Sequence, residues 1–131
     1  MAIDNGDSIA AAYIDFAKAF DSVNHQKLLH KLQGYGISGN LMNWIKDFLF
    51  ERLQCTNVGG VVSQYKYIIS GVIQGSCLGP LLFVIYINDI VTLFRQYCVC
   101  KLYADDLKLY VCISSTCCAS SLQTFLDRLA H

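Results

Sequence analysis

Two adjacent acids, Asp105 and Asp106, interrupt an apolar, alternating stretch in the last quarter of the 131-residue chain. Carboxylates are poor strand formers and are costly to bury without partners. One interpretation is a hairpin turn, because Asp tolerates the backbone conformations that tight turns require. The other is a metal site, because a divalent cation would offset the repulsion between neighbouring carboxylates.

A further acid, Asp15, follows the apolar run 9–14, which is predicted to be a buried strand. Two strand ends that carry carboxylates, brought side by side in one sheet, would form an oxygen-rich cation site. Mg²⁺ prefers about six oxygen ligands and takes some of them from water and substrate phosphates. Two such ions would activate the attacking hydroxyl and stabilise the leaving oxygen of an in-line phosphoryl displacement. The residues therefore indicate a carboxylate site for Mg²⁺, for which Mn²⁺ can substitute, and the alternative is that Asp15 only caps the end of its strand.

A glycine-rich segment, residues 70–79, precedes Pro80, which is predicted to open a helix because proline favours the first helical position. Its glycines would let a ligand approach the backbone closely, and the free N–H groups at the helix start would face an anion. The alternative is an ordinary glycine-rich connection between two elements.

Two further helices are predicted between the first acid and this loop. Asn24 would cap a helix that ends at Gly34 or Gly36, and Asn40 would cap the next one. The second helix is predicted to bury one apolar stripe, with Trp44 in the core. The stripe consists of Leu41, Trp44, Ile45, Phe48 and Leu49.

Strand patterns complete the architecture. Gly59 and Gly60 separate the runs 53–58 and 61–69 and predict a hairpin. The order β, αα, ββ, α, ββ, α predicts an α+β fold, an antiparallel sheet with helices packed on one face. A last helix is predicted after Ser120 or Ser121, with an apolar stripe that consists of Leu122, Phe125, Leu126 and Leu129.

Composition excludes several classes. The longest apolar run is far shorter than the ~20 residues of a membrane helix, and no signal-peptide pattern opens the chain. We therefore expect an intracellular protein without a membrane partner, nuclear or cytoplasmic. Ten basic and ten acidic residues count mildly against autonomous nucleic-acid binding. Hydrophobic content of 54% with 15% charged residues is typical of a segment whose surfaces are covered within a larger polypeptide.

Three motifs, in this order and spacing, resemble the reverse transcriptase domain of non-LTR (LINE-type) retrotransposons. They are YIDFAKAFDSVNHQKLLHKLQGYGI from residue 13, SGVIQGSCLGPLLFVIYINDI from residue 70 and YADD from residue 103. The resemblance implies an RNA-directed DNA polymerase that adds dNTPs to a DNA primer on an RNA template. It also implies that residues 1–131 are a palm-type fragment, with motif regions near 13–23, 70–90 and 98–112.

The same resemblance implies the metal ligands. Asp15 matches the first metal-binding aspartate of the palm, and Asp105 and Asp106 match the pair in its hairpin. The backbone carbonyl of Phe16 would be a further ligand, beside the incoming nucleotide. By this resemblance the carboxylates are the catalytic residues of a two-metal nucleotidyl transfer.

The substrate-binding residues are likewise implied by the resemblance. Phe20 matches a steric-gate aromatic that would clash with a ribose 2′-OH. Gln74 and Gly75 match the loop that lines the nucleotide and template pocket, and Tyr103 would lie near the primer terminus. Asp21, in contrast, is predicted to cap the turn into the next helix.

The sequence departs from the family in its loop and its extent. Ile73 stands where the family loop usually has proline, which predicts a looser nucleotide pocket. The fingers and thumb of the family are expected to be largely missing, so that substrate binding would need segments of a larger polypeptide. One alternative is therefore a catalytically inactive remnant of a retroelement. A metal-dependent hydrolase or nuclease would use the same carboxylates but explains neither Phe20 nor the Gln74-Gly75 loop.

Overall fold

The computed structural model describes residues 8–94 and 98–113, and the isolated positions Gln123 and Asp127. Residues 18–87 form one compact unit, the second unit, and the other described residues form the first unit. The mixed class of helices and antiparallel sheet is confirmed. The predicted C-terminal helix lies outside the described residues.

The first unit contains a three-stranded antiparallel sheet. Its strand order is β1 (Ser8–Ile14), β7 (Asp106–Ile113) and β6 (Val99–Tyr103), so β7 lies in the centre. A 3-10 helix, Asn88–Leu93, packs on β6. The predicted strand before Asp15 and the predicted hairpin at residues 99–113 are both confirmed. The first strand is not buried as predicted, because its side chains are exposed or half-buried at the edge of the sheet.

Alternation of side chains divides this sheet into two faces. On the inner face, Leu107 and Leu109 are fully buried and pack with Phe94 and Val111. Cys98 packs against this cluster, and burial raises the pKa of its thiol. A two-residue period that buries one face and exposes the other is what makes these segments strands. The outer face carries the polar and aromatic side chains of the candidate site.

The second unit contains three α-helices. They are α1 (His25–Gly34), α2 (Gly39–Leu49) and α3 (Leu78–Ile87), and α1 packs against both of the others. Within α1 the side chains of His25, Leu28 and Leu32 are buried. None of the helices among the described residues has the length and apolar run that a membrane span requires.

The predicted stripe of α2 is wrong in part. The buried side chains are Met42, Ile45 and Leu49, whereas Trp44 is 55% exposed and Leu41 is 52% exposed. The buried residues follow an i, i+3, i+7 seam, which is narrower than the stripe predicted from hydrophobicity alone. The Trp44 ring instead lies on the surface, with its centroid 6.5 Å from that of Phe48.

Helix starts also differ from prediction. α2 is preceded by Ser38 as its N-cap and begins at Gly39, so the predicted cap at Asn40 is wrong. α3 begins at Leu78, two residues before Pro80. The hydroxyl of Ser76 accepts a hydrogen bond of 2.9 Å from the Gly79 N–H, so it satisfies one of the free donors of this helix start.

The segment between α2 and the glycine-rich loop is a narrow β-arm. Four short strands form two antiparallel pairs, β2 (Leu53–Gln54) with β5 (Lys66–Tyr67) and β3 (Asn57–Val58) with β4 (Val61–Val62). Gly59 and Gly60 form the turn, both with positive φ, as the predicted hairpin requires. Every side chain of these strands is exposed.

The N-caps of α1 and α2 give a testable prediction, because only the cap of α1 makes a side-chain hydrogen bond to its helix. The Asn24 side chain accepts a hydrogen bond from the Lys27 N–H at 3.0 Å, whereas Ser38 makes no such bond. We expect Asn24→Ala to lower the free energy of unfolding by about 1 kcal/mol and Ser38→Ala to lower it by less than half of that. Urea denaturation of both variants measures the difference. Equal losses would show that the Asn24 bond contributes nothing.

Candidate functional site

The strand register places two of the predicted carboxylates opposite each other in the first unit. The last pair between β1 and β7 is Ile14 with Leu107, so one step further Asp15 faces Asp106. Directly opposite residues on one face of a sheet have Cβ atoms about 4.5–5.5 Å apart. Both side chains are exposed, and both line a cavity of about 390 Å³ on the outer face.

The hairpin turn differs from the predicted two-aspartate turn. Tyr103 pairs with Asp106, so the two turn residues are Ala104 and Asp105, and Asp106 opens β7. Ala104 has a positive φ of +51°, and a positive φ at the first turn residue is what the favoured two-residue hairpin turns require. Asp105 is half-buried at the turn and lies beside the residues that line the cavity rather than among them.

Two carboxylates on one cavity are a sufficient protein contribution for Mg²⁺. This ion is usually bound by one or two carboxylates, with water and substrate phosphates as the remaining ligands. Over residues 8–94 and 98–113, no three His, Cys, Asp or Glu side chains are grouped so that they could hold a metal. Asp15 and Asp106 line the cavity as a pair of oxygen donors, the ligand type that Mg²⁺ prefers, and Asp105 is the sequence neighbour of Asp106.

Basic and aromatic side chains also line the cavity, together with the aliphatic residues Ile14, Leu102 and Leu107. Lys101 and Lys108 are direct cross-strand neighbours, and Lys108 Nζ lies 4.7 Å from the ring centroid of Tyr13. Tyr103 is 82% exposed at the same cavity. Like charges directly opposite in a sheet are unfavourable, so an anionic ligand would relieve the lysine pair. Sequence analysis missed these lysines, although alternation along the strands places them on the face of the carboxylates.

Phe16 follows Asp15 in sequence, but its ring lies on the inner side of the sheet. The ring packs against the buried cluster of the first unit, with Leu107 and Leu109. Its side chain is therefore a core residue, and the backbone carbonyl is the group that it can offer to a ligand.

The predicted steric gate, Phe20, lies in the second unit. Its ring stacks on Phe83 of α3, with centroids 4.1 Å apart and an interplanar angle of 20°. The ring is half-buried, so part of its surface remains accessible. Stacking between two aromatic rings restricts the orientation of Phe20, as a residue that excludes ligands by shape requires.

The glycine-rich loop presents Gln74 and Gly75 on the surface of the second unit. Gln74 Nε2 donates a hydrogen bond of 3.2 Å to Asp21 Oδ1. Gly75 has a φ of +81°, and the space that a side chain would occupy there is open. The predicted capping role of Asp21 is wrong, because Asn24 caps α1 and the carboxylate of Asp21 contacts the loop instead.

A family model described as "Reverse transcriptase (RNA-dependent DNA polymerase)" matches residues 3–131. The RNA-directed DNA polymerase from mobile element jockey of Drosophila melanogaster is 34% identical over 133 residues, which cover 96% of this chain and 14% of that protein. The Pol polyprotein from type-1 retrotransposable element R2 of Popillia japonica is 32% identical over 107 residues, which cover 73% of this chain and 18% of that protein. The chain thus spans less than a fifth of the length of these relatives.

A solved structure shares the fold at low sequence identity. The apo telomerase of Candida tropicalis, truncated from its C-terminal domain, superposes with a TM-score of 0.71 at 16% identity. The match covers 94% of this chain and 27% of that chain. At this identity the likeness establishes the fold alone, and it agrees with the mixed helix and antiparallel sheet described above.

Proposed function

Because this chain belongs to the reverse transcriptase family, we propose that it is the polymerase core of a retrotransposon, which extends a DNA primer with dNTPs on an RNA template. The family and the relatives confirm the predicted resemblance to the reverse transcriptases of non-LTR retrotransposons. The observation that carries the proposal is the pair Asp15 and Asp106, opposite each other at one cavity.

Each carboxylate has a role in this proposal. Asp15 and Asp106 would hold Mg²⁺, with Asp105 and the backbone carbonyl of Phe16 as further ligands. Bound Mg²⁺ ions would activate the primer hydroxyl and neutralise the triphosphate, which is the two-metal chemistry of phosphoryl transfer. The sheet of the first unit corresponds, in this proposal, to the palm of the polymerase. The pairing of β1 with β7 holds the backbone at the end of β1 next to Asp106, so the two carboxylates start from nearby positions.

The substrate-binding residues complete the proposal. Lys101 and Lys108 attract the phosphates of the nucleic acid, and Tyr103 contacts the primer terminus. Phe20 excludes the ribose 2′-OH and so selects deoxynucleotides. Gln74 and Gly75 contact the incoming nucleotide and the template. The full set of partners is thus an RNA template, a DNA primer and dNTPs. Segments of a larger polypeptide supply the remaining contacts with these substrates.

Primer extension tests the proposal. Purified protein is given an RNA template annealed to a labelled DNA primer, with dNTPs and Mg²⁺ or Mn²⁺. At protein concentrations at which the primer–template is bound, we expect template-directed extension that stops with EDTA and in Asp105→Ala. Fluorescence anisotropy measures in parallel whether the primer–template is bound.

Two results would contradict the proposal. A folded protein that binds the primer–template and incorporates no nucleotide would be inconsistent with a polymerase. Cleavage of the nucleic acid with Mg²⁺ and no dNTP, removed by Asp15→Asn, would identify a nuclease instead.

A further inference from the structure

Two segments of the second unit are bonded side by side through their backbones. The Gly71 N–H donates to the Val23 carbonyl at 2.8 Å, and the Val72 N–H donates to the Phe20 carbonyl at 2.9 Å. The approach is close enough that a Cβ on Gly71 would lie 2.9 Å from the Cα of Asp21. Backbone hydrogen bonds therefore join the turn that carries Asp21 to the glycine-rich loop.

Side chains reinforce this junction. The Ser70 hydroxyl donates to the Asp21 carbonyl at 2.9 Å. Nε2 of the buried His25 lies 2.7 Å from the Gly71 carbonyl. A carbonyl only accepts hydrogen bonds, so this nitrogen carries the proton and donates. These bonds fix the backbone of Asp21 relative to the start of the loop.

The contact between Asp21 and Gln74 has only one chemically consistent orientation. An ionised carboxylate only accepts hydrogen bonds, so it must face the NH₂ of the Gln74 amide, at 3.2 Å. The other end of that amide, Oε1, is then left as an acceptor. Without the carboxylate, the amide could turn over and present its donors in the same place.

We propose that Asp21 is a positioning residue, which orients the Gln74 amide so that Oε1 accepts a hydrogen bond from the incoming nucleotide. The inference rests on the proposed function, because it takes Gln74 to be a nucleotide contact. It assigns to Asp21 a role that is neither helix capping nor metal binding. Asp21 acts through Gln74 and has no contact of its own with the reacting atoms.

Steady-state incorporation of a single dNTP tests this role. A typical hydrogen bond is worth a factor of about three to ten, so Asp21→Ala is expected to raise the KM for dNTP by about that factor with kcat within about twofold. Asp21→Asn keeps the shape of the side chain but adds an NH₂ donor, so the Gln74 amide can bind it in either orientation. Its KM is expected to lie between that of the wild type and that of Asp21→Ala. Asp47→Ala, which removes an exposed acid on α2, is the matched control and is expected to leave the KM unchanged.

A double-mutant cycle separates positioning from a general structural effect. If Asp21 acts through Gln74, Asp21→Ala has no further effect on the KM in a Gln74→Ala background. An unchanged KM in Asp21→Ala, or the same loss in both backgrounds, would overturn the inference. A KM in Asp21→Asn that exceeds the KM of Asp21→Ala would do the same.

A measurement without turnover keeps the inference separate from the proposed function. In ¹⁵N-labelled protein, the two side-chain amide protons of Gln74 are expected to exchange with water more slowly than in Asp21→Ala. Equal exchange would show that the contact does not form in solution, whatever the enzyme does. Slow exchange in a protein that incorporates no dNTP would contradict the proposed function and the nucleotide role of Gln74. In that case only the hydrogen bond between Asp21 and Gln74 would be established.

Discussion

Replacing Asp15 or Asp106 by Asn is expected to lower primer extension at least about 100-fold. Loss of a residue that only orients a metal ligand typically costs 10–100-fold, so loss of a direct ligand should cost more. Asn keeps the shape of each side chain and removes its charge. Single-nucleotide incorporation at saturating primer–template measures the effect, with Asp47→Asn as a control for the loss of an exposed acid.

The thermal stability of the same variants tests whether activity is lost because a metal ligand is removed or because the protein unfolds. Asp15 directly follows β1 and Asp106 opens β7, one step beyond the last pair of these strands, and like charges at opposite positions are destabilising. Each Asn variant is therefore expected to melt, without metal, at the temperature of the wild type or slightly higher. Activity that survives in both variants would place the reaction elsewhere. A drop in melting temperature that parallels the loss of activity would also count against a metal-binding role.

The second large effect is expected at Gly71. Its φ of +93° is costly for any other residue, and an added Cβ would lie 2.9 Å from the Cα and 3.0 Å from the carbonyl oxygen of Asp21. Because both contacts are backbone atoms, neither can move aside easily. We expect Gly71→Ala to lower the free energy of unfolding by about 2–5 kcal/mol, from strain and overpacking together.

Gly36→Ala is the matched control for Gly71→Ala. Gly36 has a φ of +84°, and the space that its Cβ would occupy is empty. Only the conformational cost applies there, about 1–2 kcal/mol. Denaturant unfolding of both variants gives the comparison. Equal losses would mean that the close approach between the loop and Asp21 is absent in solution.

Local patterns predicted much of the fold. A short apolar run identified β1, and alternation identified the hairpin of β6 and β7. Paired glycines identified the hairpin of the β-arm, and Asn24 identified the start of α1. These features depend on neighbours within a few residues. The start of α2 was misplaced because both Ser38 and Asn40 are good capping residues, and the choice depends on packing. The exposure of Trp44 is likewise decided by how much of α2 the neighbouring helix covers, which no local pattern records.

The candidate site was predictable in its parts more than in its arrangement. Motifs identified Asp15, Asp106 and Gln74, but their partners depend on pairing between distant segments. The strand register decides that Asp106 rather than Asp105 faces Asp15. The contact between Asp21 and Gln74 joins residues 53 positions apart, and no spacing rule links them. The motifs therefore identified the candidate residues, whereas their partners became known only from pairing between segments that are distant in sequence.

The most direct test of the central claim is Mn²⁺ binding, followed by electron paramagnetic resonance of the free ion. The full chain is titrated without nucleic acid or nucleotide, beside the double variant Asp15→Asn/Asp106→Asn and the control Asp47→Asn. The account predicts saturable binding by the wild type and the control, and an affinity at least about tenfold lower in the double variant. Equal affinity in the wild type and the folded double variant would contradict a metal site at Asp15 and Asp106.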